Sequence, residues 1–278
     1  MYVYCVLMPK RKSESVPRNE KTKRSKSSAE TSSSQKETAS KHVTPAKSSA
    51  KKDPSLTRKV PTSYPKLIDK KDEKRTGETT VLEFVAKSPK RNDKGELVFE
   101  GYPDFQPNMT PKEVLQTGSF GGTYFRPIKS GVTGKQYNGV HKELPEDWLE
   151  GLKVAEKVSS STYRESSNTY KVKCGGSLQM WEESDWIHAQ DPYGWFQWYC
   201  RFYQGRRTPD DDRQIGRWAR CAGVTGRWRN NLITKCVKSG CGFDNKTISP
   251  VVRQTLQHWG YKLNKKDFDA YVKKKKLK

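Results

Sequence analysis

Long apolar runs are missing from this chain of 278 residues. A helix that spans a bilayer needs about 20 consecutive apolar residues, and no stretch of the chain approaches that length. Hydrophobic residues make up only 32% of the sequence. This share is low for a globular protein and predicts that part of the chain does not fold. We therefore expect no membrane span and a partly disordered protein.

Aromatic residues are scarce in the first quarter of the chain, where Tyr64 is the only one between Pro9 and Arg75. Too little apolar surface is present there to offset the entropy lost on ordering. We predict a disordered basic tail over 1–78 and a single globular domain over 79–262. Its first part, 79–175, is expected to mix helices and strands, and 176–262 to form a helical bundle. The Lys-rich segment 263–278 is predicted to be a C-terminal tail.

Motifs with recognisable chemistry are also missing, because the sequence contains no P-loop, dinucleotide-binding fingerprint, nucleophile elbow or C-x2-C pair. The six cysteines come without a secretory signal and are expected to be free thiols in a reducing compartment. We predict no metal, no cofactor and no catalytic residue. One enzymatic alternative stays open, in which His188 acts with Glu182 or Glu183 on a base or a sugar.

Charge is abundant, with a net value of +23 and a pI near 9.7. Most of it lies in the two tails, since residues 10–75 carry 20 Lys or Arg against 8 Asp or Glu. Such a balance favours a polyanionic partner, DNA or RNA. Short basic clusters in the N-terminal tail are typical of nuclear-import signals, and they predict a nuclear protein that binds an import receptor. Their residues are Lys10, Arg11, Lys12, Lys21, Lys23 and Arg24.

Capping signals punctuate the C-terminal third. Asp191, Thr208 and Ser249 each precede a proline, and glycines follow each candidate last turn. These signals predict helices over 178–187, 192–204, 209–221, 226–238 and 250–259. Seven aromatic residues lie between Tyr193 and Tyr203, and their spacing predicts a central buried helix. Its core residues are expected to be Trp195, Trp198, Tyr199 and Phe202.

The predicted helix 226–238 has an apolar face and a basic, polar face. It follows another helix and a short Gly-containing turn, as the recognition helix of a helix-turn-helix does. Arg and Asn contact phosphates and base edges from such a helix. We predict nucleic-acid contacts from this pair of helices around 209–238. The candidate residues are Arg206, Arg207, Arg213, Arg217, Arg220, Arg227, Arg229, Asn231, Lys235 and Lys238.

Four stretches resemble an uncharacterised eukaryotic family with fungal, algal and plant members. They are T-P-K-E-V-L-Q-T-G-S-F-G-G-T-Y-F-R-P-I, L-P-E-D-W-L-E-G-L, D-P-Y-G-W-F-Q-W-Y-C-R-F-Y-Q-G-R-R and S-P-V-V-R-Q-T-L-Q-H-W-G-Y. The resemblance covers roughly residues 100–262 and implies one domain there. It transfers no activity, because the family's function is unknown.

Together these features predict an α+β protein, with a small β region followed by a Trp-rich bundle of four to five helices. The predicted function is non-enzymatic nucleic-acid binding in the nucleus, with DNA favoured as the partner. The first alternative is a protein-interaction adaptor whose basic tails serve nuclear import alone.

Overall fold

The computed structural model describes residues 84–277, together with the backbone of Ile68–Asp69 and Thr80–Val81. The predicted tail over 1–78, with both basic clusters, lies outside the described residues except for Ile68–Asp69. Within the described part, helices dominate and the strands are only two residues long. The α+β fold class is confirmed.

The β region consists of three separate antiparallel pairs. Strand β1 (Ile68–Asp69) pairs with β2 (Thr80–Val81), so that Ile68 lies opposite Val81. Strand β3 (Lys90–Arg91) pairs with β4 (Leu97–Val98), and β5 (Ile128–Lys129) pairs with β6 (Gln136–Tyr137). The short apolar run 97–99 predicts the strand that contains Leu97, and β4 confirms it. The sequence of residues 161–174 predicts a hairpin around a polar turn, which is wrong, because this segment contains the 3-10 turn Glu165–Ser167 and no strand.

Helix α1 (Pro111–Gln116) begins as its sequence predicts. The Thr110 hydroxyl accepts from the Glu113 amide at 3.1 Å, and the Glu113 carboxylate accepts from the Thr110 amide at 2.7 Å. This reciprocal capping box satisfies two amides that have no partner inside the helix. A short helix α2 (Val154–Lys157) follows, after 3-10 turns at Val140–Glu143 and Glu146–Trp148.

Six helices form the C-terminal part: α3 (Leu178–Glu183), α4 (Trp195–Tyr203), α5 (Asp211–Cys221), α6 (Arg227–Lys238), α7 (Pro250–His258) and α8 (Lys265–Lys275). Helix α8 lies in the Lys-rich segment 263–278. Its Phe268, Tyr271 and Val272 pack against the core, and α8 contacts α6.

Two predicted caps are wrong. Helix α4 begins at Trp195 after Gly194, so Asp191 does not cap it; the Asp191 carboxylate instead binds two arginines. Helix α5 begins at Asp211 after Asp210, and Thr208 donates its amide and its hydroxyl to Asp211. Asp191 and Thr208 therefore lie four and three residues before the first residue of their helices. The buried carboxylate of Asp191 binds arginines, and that of Asp211 accepts from Thr208. Only Ser249 occupies the predicted N-cap position, although without a side-chain bond.

The aromatic helix α4 is the centre of the core, as predicted. Trp198, Tyr199 and Phe202 are fully buried, and Trp195 is 7% exposed. Phe105 from the loop before α1 packs on this helix, with ring centroids 5.6 Å from Trp198 and 5.7 Å from Tyr199. Burial of each such side chain contributes roughly 1.5–3 kcal/mol, so α4 anchors both the β region and the bundle.

Candidate nucleic-acid interface

The residues predicted to contact nucleic acid separate into a buried group and an exposed group. Side chains in the first group are 2–8% exposed: Arg206, Arg207, Arg217 and Arg229. Those of the second group face solvent: Arg220, Arg227, Asn231, Lys235 and Lys238. Arg213 is half-buried. A buried guanidinium that is already bonded inside the fold is poorly placed to reach a phosphate.

Arg206 belongs to a buried network of ions. Its Nη2 donates to Asp191 Oδ2 at 2.6 Å, and Arg201 Nη1 donates to Asp191 Oδ1 at 3.0 Å. Arg201 also donates to both oxygens of Glu143, at 3.0 and 2.7 Å. Burial raises the pKa of Asp191, but Arg206 and Arg201 outweigh burial and hold that pKa below its ordinary value. The two arginines and two carboxylates balance in charge, so Arg206 is committed to this buried network and is poorly placed to reach a phosphate.

Arg207 and Arg217 are held by aromatic rings. The guanidinium carbon of Arg207 lies 3.9 Å from the Phe202 ring centroid, and its Nη1 donates to the carbonyl of Phe202 at 2.8 Å. The Arg217 guanidinium carbon lies 5.7 Å from the Trp186 ring centroid and 5.6 Å from that of Trp259. Burial lowers the pKa of Arg217 to about 10. Both side chains make cation–π contacts inside the bundle.

Arg229 is the buried arginine of α6. Its Nη2 lies 2.8 Å from Asp267 Oδ1, and its guanidinium carbon lies 5.0 Å from the Tyr261 ring centroid. The sequence contains a signal for this position, because Arg229 precedes Ile233 by four residues and therefore shares its apolar face. The four buried arginines are therefore bonded inside the fold and lie outside the candidate interface: Arg206, Arg207, Arg217 and Arg229.

The exposed residues of α6 form one ridge. Successive helical residues are about 100° apart, so Arg227, Asn231, Lys235 and Lys238 fall within about 80° of one another. The opposite face is buried through Leu232, Ile233 and Cys236, among others. No acidic residue occurs anywhere in α6. We call Arg227, Asn231, Lys235 and Lys238 the basic ridge.

The turn between α5 and α6 is tight. A Cβ atom added at Gly226 would lie 2.6 Å from the carbonyl oxygen of Cys221, and one at Gly223 would lie 2.8 Å from that of Ala219. Real Cβ atoms essentially never approach backbone this closely. Glycine at both positions therefore lets α6 follow α5 directly, and the two helices contact each other.

Helix α5 presents less positive charge than its sequence suggests. Arg213 donates two bonds to Asp210, with Nη2 to Oδ2 at 2.8 Å. The acidic run 210–212 offsets the positive charge of the basic residues of this helix. Asp211 is buried, and its Oδ1 accepts from Trp198 Nε1 at 2.9 Å. Arg220 is the exposed cation of the last turn. The positive surface of the pair lies on α6.

The side chains of the enzymatic alternative do not converge. Glu182 accepts from the amide of Gly131 at 2.8 Å, and Glu183 accepts from Gln179 at 2.9 Å. His188 Nδ1 lies 3.1 Å from Asp210 Oδ1. Each of the three side chains therefore has a separate partner, and among the described residues no hydrogen bond or ion pair joins His188 to Glu182 or Glu183.

Among the described residues, no group of three His, Cys, Asp or Glu side chains is arranged to hold a metal ion. The five cysteines in this part of the chain are free thiols. No helix within it is long and apolar enough to cross a membrane.

A groove of about 570 Å³ opens where four separate segments meet. Its walls come from the β3–β4 hairpin, from residues 108–117, from Phe243 and from residues 262–264. No pattern in the sequence predicts this groove, because its walls are far apart along the chain.

Comparisons with protein-family models, with curated proteins and with solved structures find no match to this chain. The family resemblance over residues 100–262 accordingly stays a prediction.

Proposed function

We propose that this protein is a non-enzymatic nucleic-acid-binding protein, and that α6 lies in the major groove of duplex DNA. The observation that carries the proposal is the basic ridge, a solvent-facing row of Arg227, Asn231, Lys235 and Lys238 without an acidic neighbour on its helix. From Arg227 to Lys238 the ridge is about 16 Å long at 1.5 Å per residue. A helix of this kind fits the major groove, which is about 12 Å wide.

The position of α6 in the fold supports the same role. The helix follows α5 through a tight turn and buries its opposite face in the bundle, so its ridge is presented on a rigid support. Two contacting helices joined by a short Gly-containing turn are one feature of a helix-turn-helix pair, which supports this role. Side-chain sites on packed helices are more precise than sites on loops.

The four ridge residues have two roles in this proposal. Arg227, Lys235 and Lys238 bind phosphates, which supplies affinity without sequence information. Asn231 lies between them and has an amide that donates and accepts hydrogen bonds, as an adenine edge in the major groove requires. Sequence preference would therefore depend on Asn231, and affinity on the three cations.

Helix α8 adds cations on an element that contacts α6. Its last turn carries Lys273, Lys274 and Lys275, and Lys276 follows; all four are exposed. Phosphates beyond the α6 footprint are their partners in this proposal. We also propose that the protein is nuclear and that Lys10–Lys12 and Lys21–Arg24 bind an import receptor.

The test is binding of the full chain to a labelled DNA duplex, followed by fluorescence anisotropy between about 50 and 200 mM salt. The variant Arg227→Glu/Lys235→Glu/Lys238→Glu is expected to bind at least about tenfold more weakly. Its slope of log affinity against log salt should be shallower by about three, one for each lost phosphate contact. RNA duplex of the same sequence is measured in parallel.

The matched control is Lys129→Glu/Lys153→Glu/Lys173→Glu, which makes the same change in net charge at three exposed lysines outside the bundle's last helices. It should change the slope much less. Equal losses in the two variants, or no binding of the full chain to DNA at low salt, would contradict the proposal.

A further inference from the structure

The groove between the β3–β4 hairpin and the start of α8 combines basic side chains with one aromatic ring. Its volume of about 570 Å³ lies within the range of small-ligand sites, roughly 300–1,000 Å³. It is separate from the basic ridge, since no ridge residue lines it.

Positive charge predominates in the groove. Glu113 is its only acidic lining residue. Arg91 Nη2 donates to both oxygens of Glu113, at 2.8 and 2.6 Å, so that this carboxylate is neutralised. Lys94 and Lys262 also line the groove, are exposed, and have no ion pair among the described residues. Two ammonium groups are therefore available to an anion.

Phe243 supplies an aromatic wall. Its side chain is half-buried and packs against the edge of the core. Within the described part of the chain it stacks on no other ring, and the ring lines the groove, where a ligand would meet it. An aromatic face beside lysines is the combination that binds unpaired nucleotides, because bases stack on the ring and phosphates pair with the cations.

The groove lies close to the end of α6. Phe243 follows Lys238 by five residues, so at most about 18 Å of chain separates them. When a DNA duplex is bound at the basic ridge, a single-stranded extension of one strand can thus place its first unpaired nucleotide in the groove.

We propose that this groove binds one unpaired nucleotide of a nucleic-acid strand, with its base on Phe243 and its phosphate between Lys94 and Lys262. The full chain then prefers duplexes that carry a single-stranded extension. This preference rests on the proposed function, since the duplex part is bound by α6, whereas the groove uses none of the α6 residues.

The experiment compares the affinity of the full chain for one DNA duplex with blunt ends and for the same duplex with a two-nucleotide overhang. The overhang is expected to raise affinity about tenfold, as stacking of one base does. In Phe243→Leu, which keeps an apolar side chain but lacks the aromatic face, the ratio of overhang to blunt affinity should fall to about one. Phe243→Tyr should restore the ratio, and Lys94→Gln/Lys262→Gln should lower it.

The two proposals fail in distinguishable ways. The triple α6 variant should lower the affinity for both the blunt duplex and the overhang duplex, and it should keep the ratio of the two affinities. If the chain bound single strands through Phe243 but did not bind the blunt duplex, the proposal that α6 binds duplex DNA would be contradicted. The proposal that the groove binds an unpaired nucleotide would then be supported. An overhang without advantage, or an advantage that survives in Phe243→Leu with an unchanged unfolding midpoint, would overturn the groove. Adenosine monophosphate that saturates the groove in the absence of any overhang preference would also overturn it, because the ligand would then be a free nucleotide.

Discussion

Individual side chains in this protein show that residue type alone does not reveal a role. Arg206 and Arg227 are both arginines in the segment that the sequence marks as basic, yet the first is buried against Asp191 and the second is exposed. Removing one partner of a buried ion pair costs about 3–5 kcal/mol, because the other charge stays buried. Substitution of Arg206 would therefore impair folding and reveal little about binding.

His258 allows a prediction at this scale. Its Nε2 accepts from the amide of Phe120 at 3.0 Å, and its ring stacks on Phe120 with centroids 4.0 Å apart. Burial lowers the pKa of His258 from 6.5 to about 3. The folded state therefore favours the neutral ring, and its contribution to stability is complete above pH 6.5. That contribution is lost as the pH falls from about 6.5 through 3, by roughly 1.4 kcal/mol per pH unit.

Denaturant unfolding between pH 7 and pH 4 checks this expectation. His258→Gln keeps an acceptor for the Phe120 amide and has no titrating group. As the pH is lowered, the free energy of unfolding of this variant should therefore decrease less steeply than that of the natural chain. Taking the difference between the two chains removes the effect of carboxylates such as Asp191. Parallel curves would show that His258 does not contribute to acid sensitivity.

At the scale of elements, α8 shows that a Lys-rich end can belong to the fold. Asp267 pairs with the buried Arg229 of α6, and Tyr261 donates to Asp267 at 2.7 Å. Phe268, Tyr271 and Val272 recur at i, i+3 and i+4 and pack against the core. The lysines that follow lie on the exposed side. The same helix thus closes the bundle and carries the charge.

Truncations test this division of α8. A chain that ends at Leu263 should lose about 3–5 kcal/mol of unfolding free energy, because it lacks the apolar packing of α8 on the core and the Asp267 partner of Arg229. A chain that ends at Val272 retains the packed residues and should stay within about 1 kcal/mol of the full chain. Denaturant unfolding measures both. Equal stability of the two truncated chains would mean that α8 does not support α6.

At the scale of the whole molecule, charge is distributed unevenly. The chain carries +23, yet several arginines of the bundle are neutralised inside it. Exposed cations lie on many elements, and those of α6 and α8 belong to two helices that contact each other. Exposed charges act over about a Debye length, 8 Å at physiological salt. Sequence-independent attraction to phosphates would therefore come from the cations of the basic ridge together with those of the chain's ends, and the rigid ridge would also orient the nucleic acid.

The proposed nuclear location gives a prediction for the whole chain. A fluorescent fusion should accumulate in the nucleus, and changing Lys10, Arg11, Lys12, Lys21, Lys23 and Arg24 to Gln should abolish the enrichment. The control changes six other lysines of the same segment to Gln: Lys26, Lys36, Lys41, Lys47, Lys59 and Lys66. Cell imaging of both variants measures the nuclear enrichment of the fusion. Enrichment that persists in the cluster variant but is lost in the lysine control would contradict the assignment of the two basic clusters as import signals.

The sequence by itself determined the local features of this protein. Thr110 and Glu113 predict their capping box, and the spacing of Trp195, Trp198 and Phe202 predicts a buried helix, because both depend on residues within a few positions of one another. Helices α5, α6 and α7 lie within one or two residues of their predicted bounds. The cap at Asp191 failed because its carboxylate bonds Arg201 and Arg206, ten and fifteen residues later in the chain. The cap at Thr208 failed because its hydroxyl donates to the Asp211 carboxylate instead of accepting from a backbone amide.

Only the tertiary structure decided which cations face solvent. Arg229 is buried because Asp267 and Tyr261, more than thirty residues later in the chain, supply its counter-charge and its aromatic neighbour. The groove likewise needs Arg91, Lys94, Phe243 and Lys262 to meet from distant segments. Periodicity in sequence reports which face of a helix is apolar, whereas burial of a charge depends on a partner that folding alone brings within bonding distance.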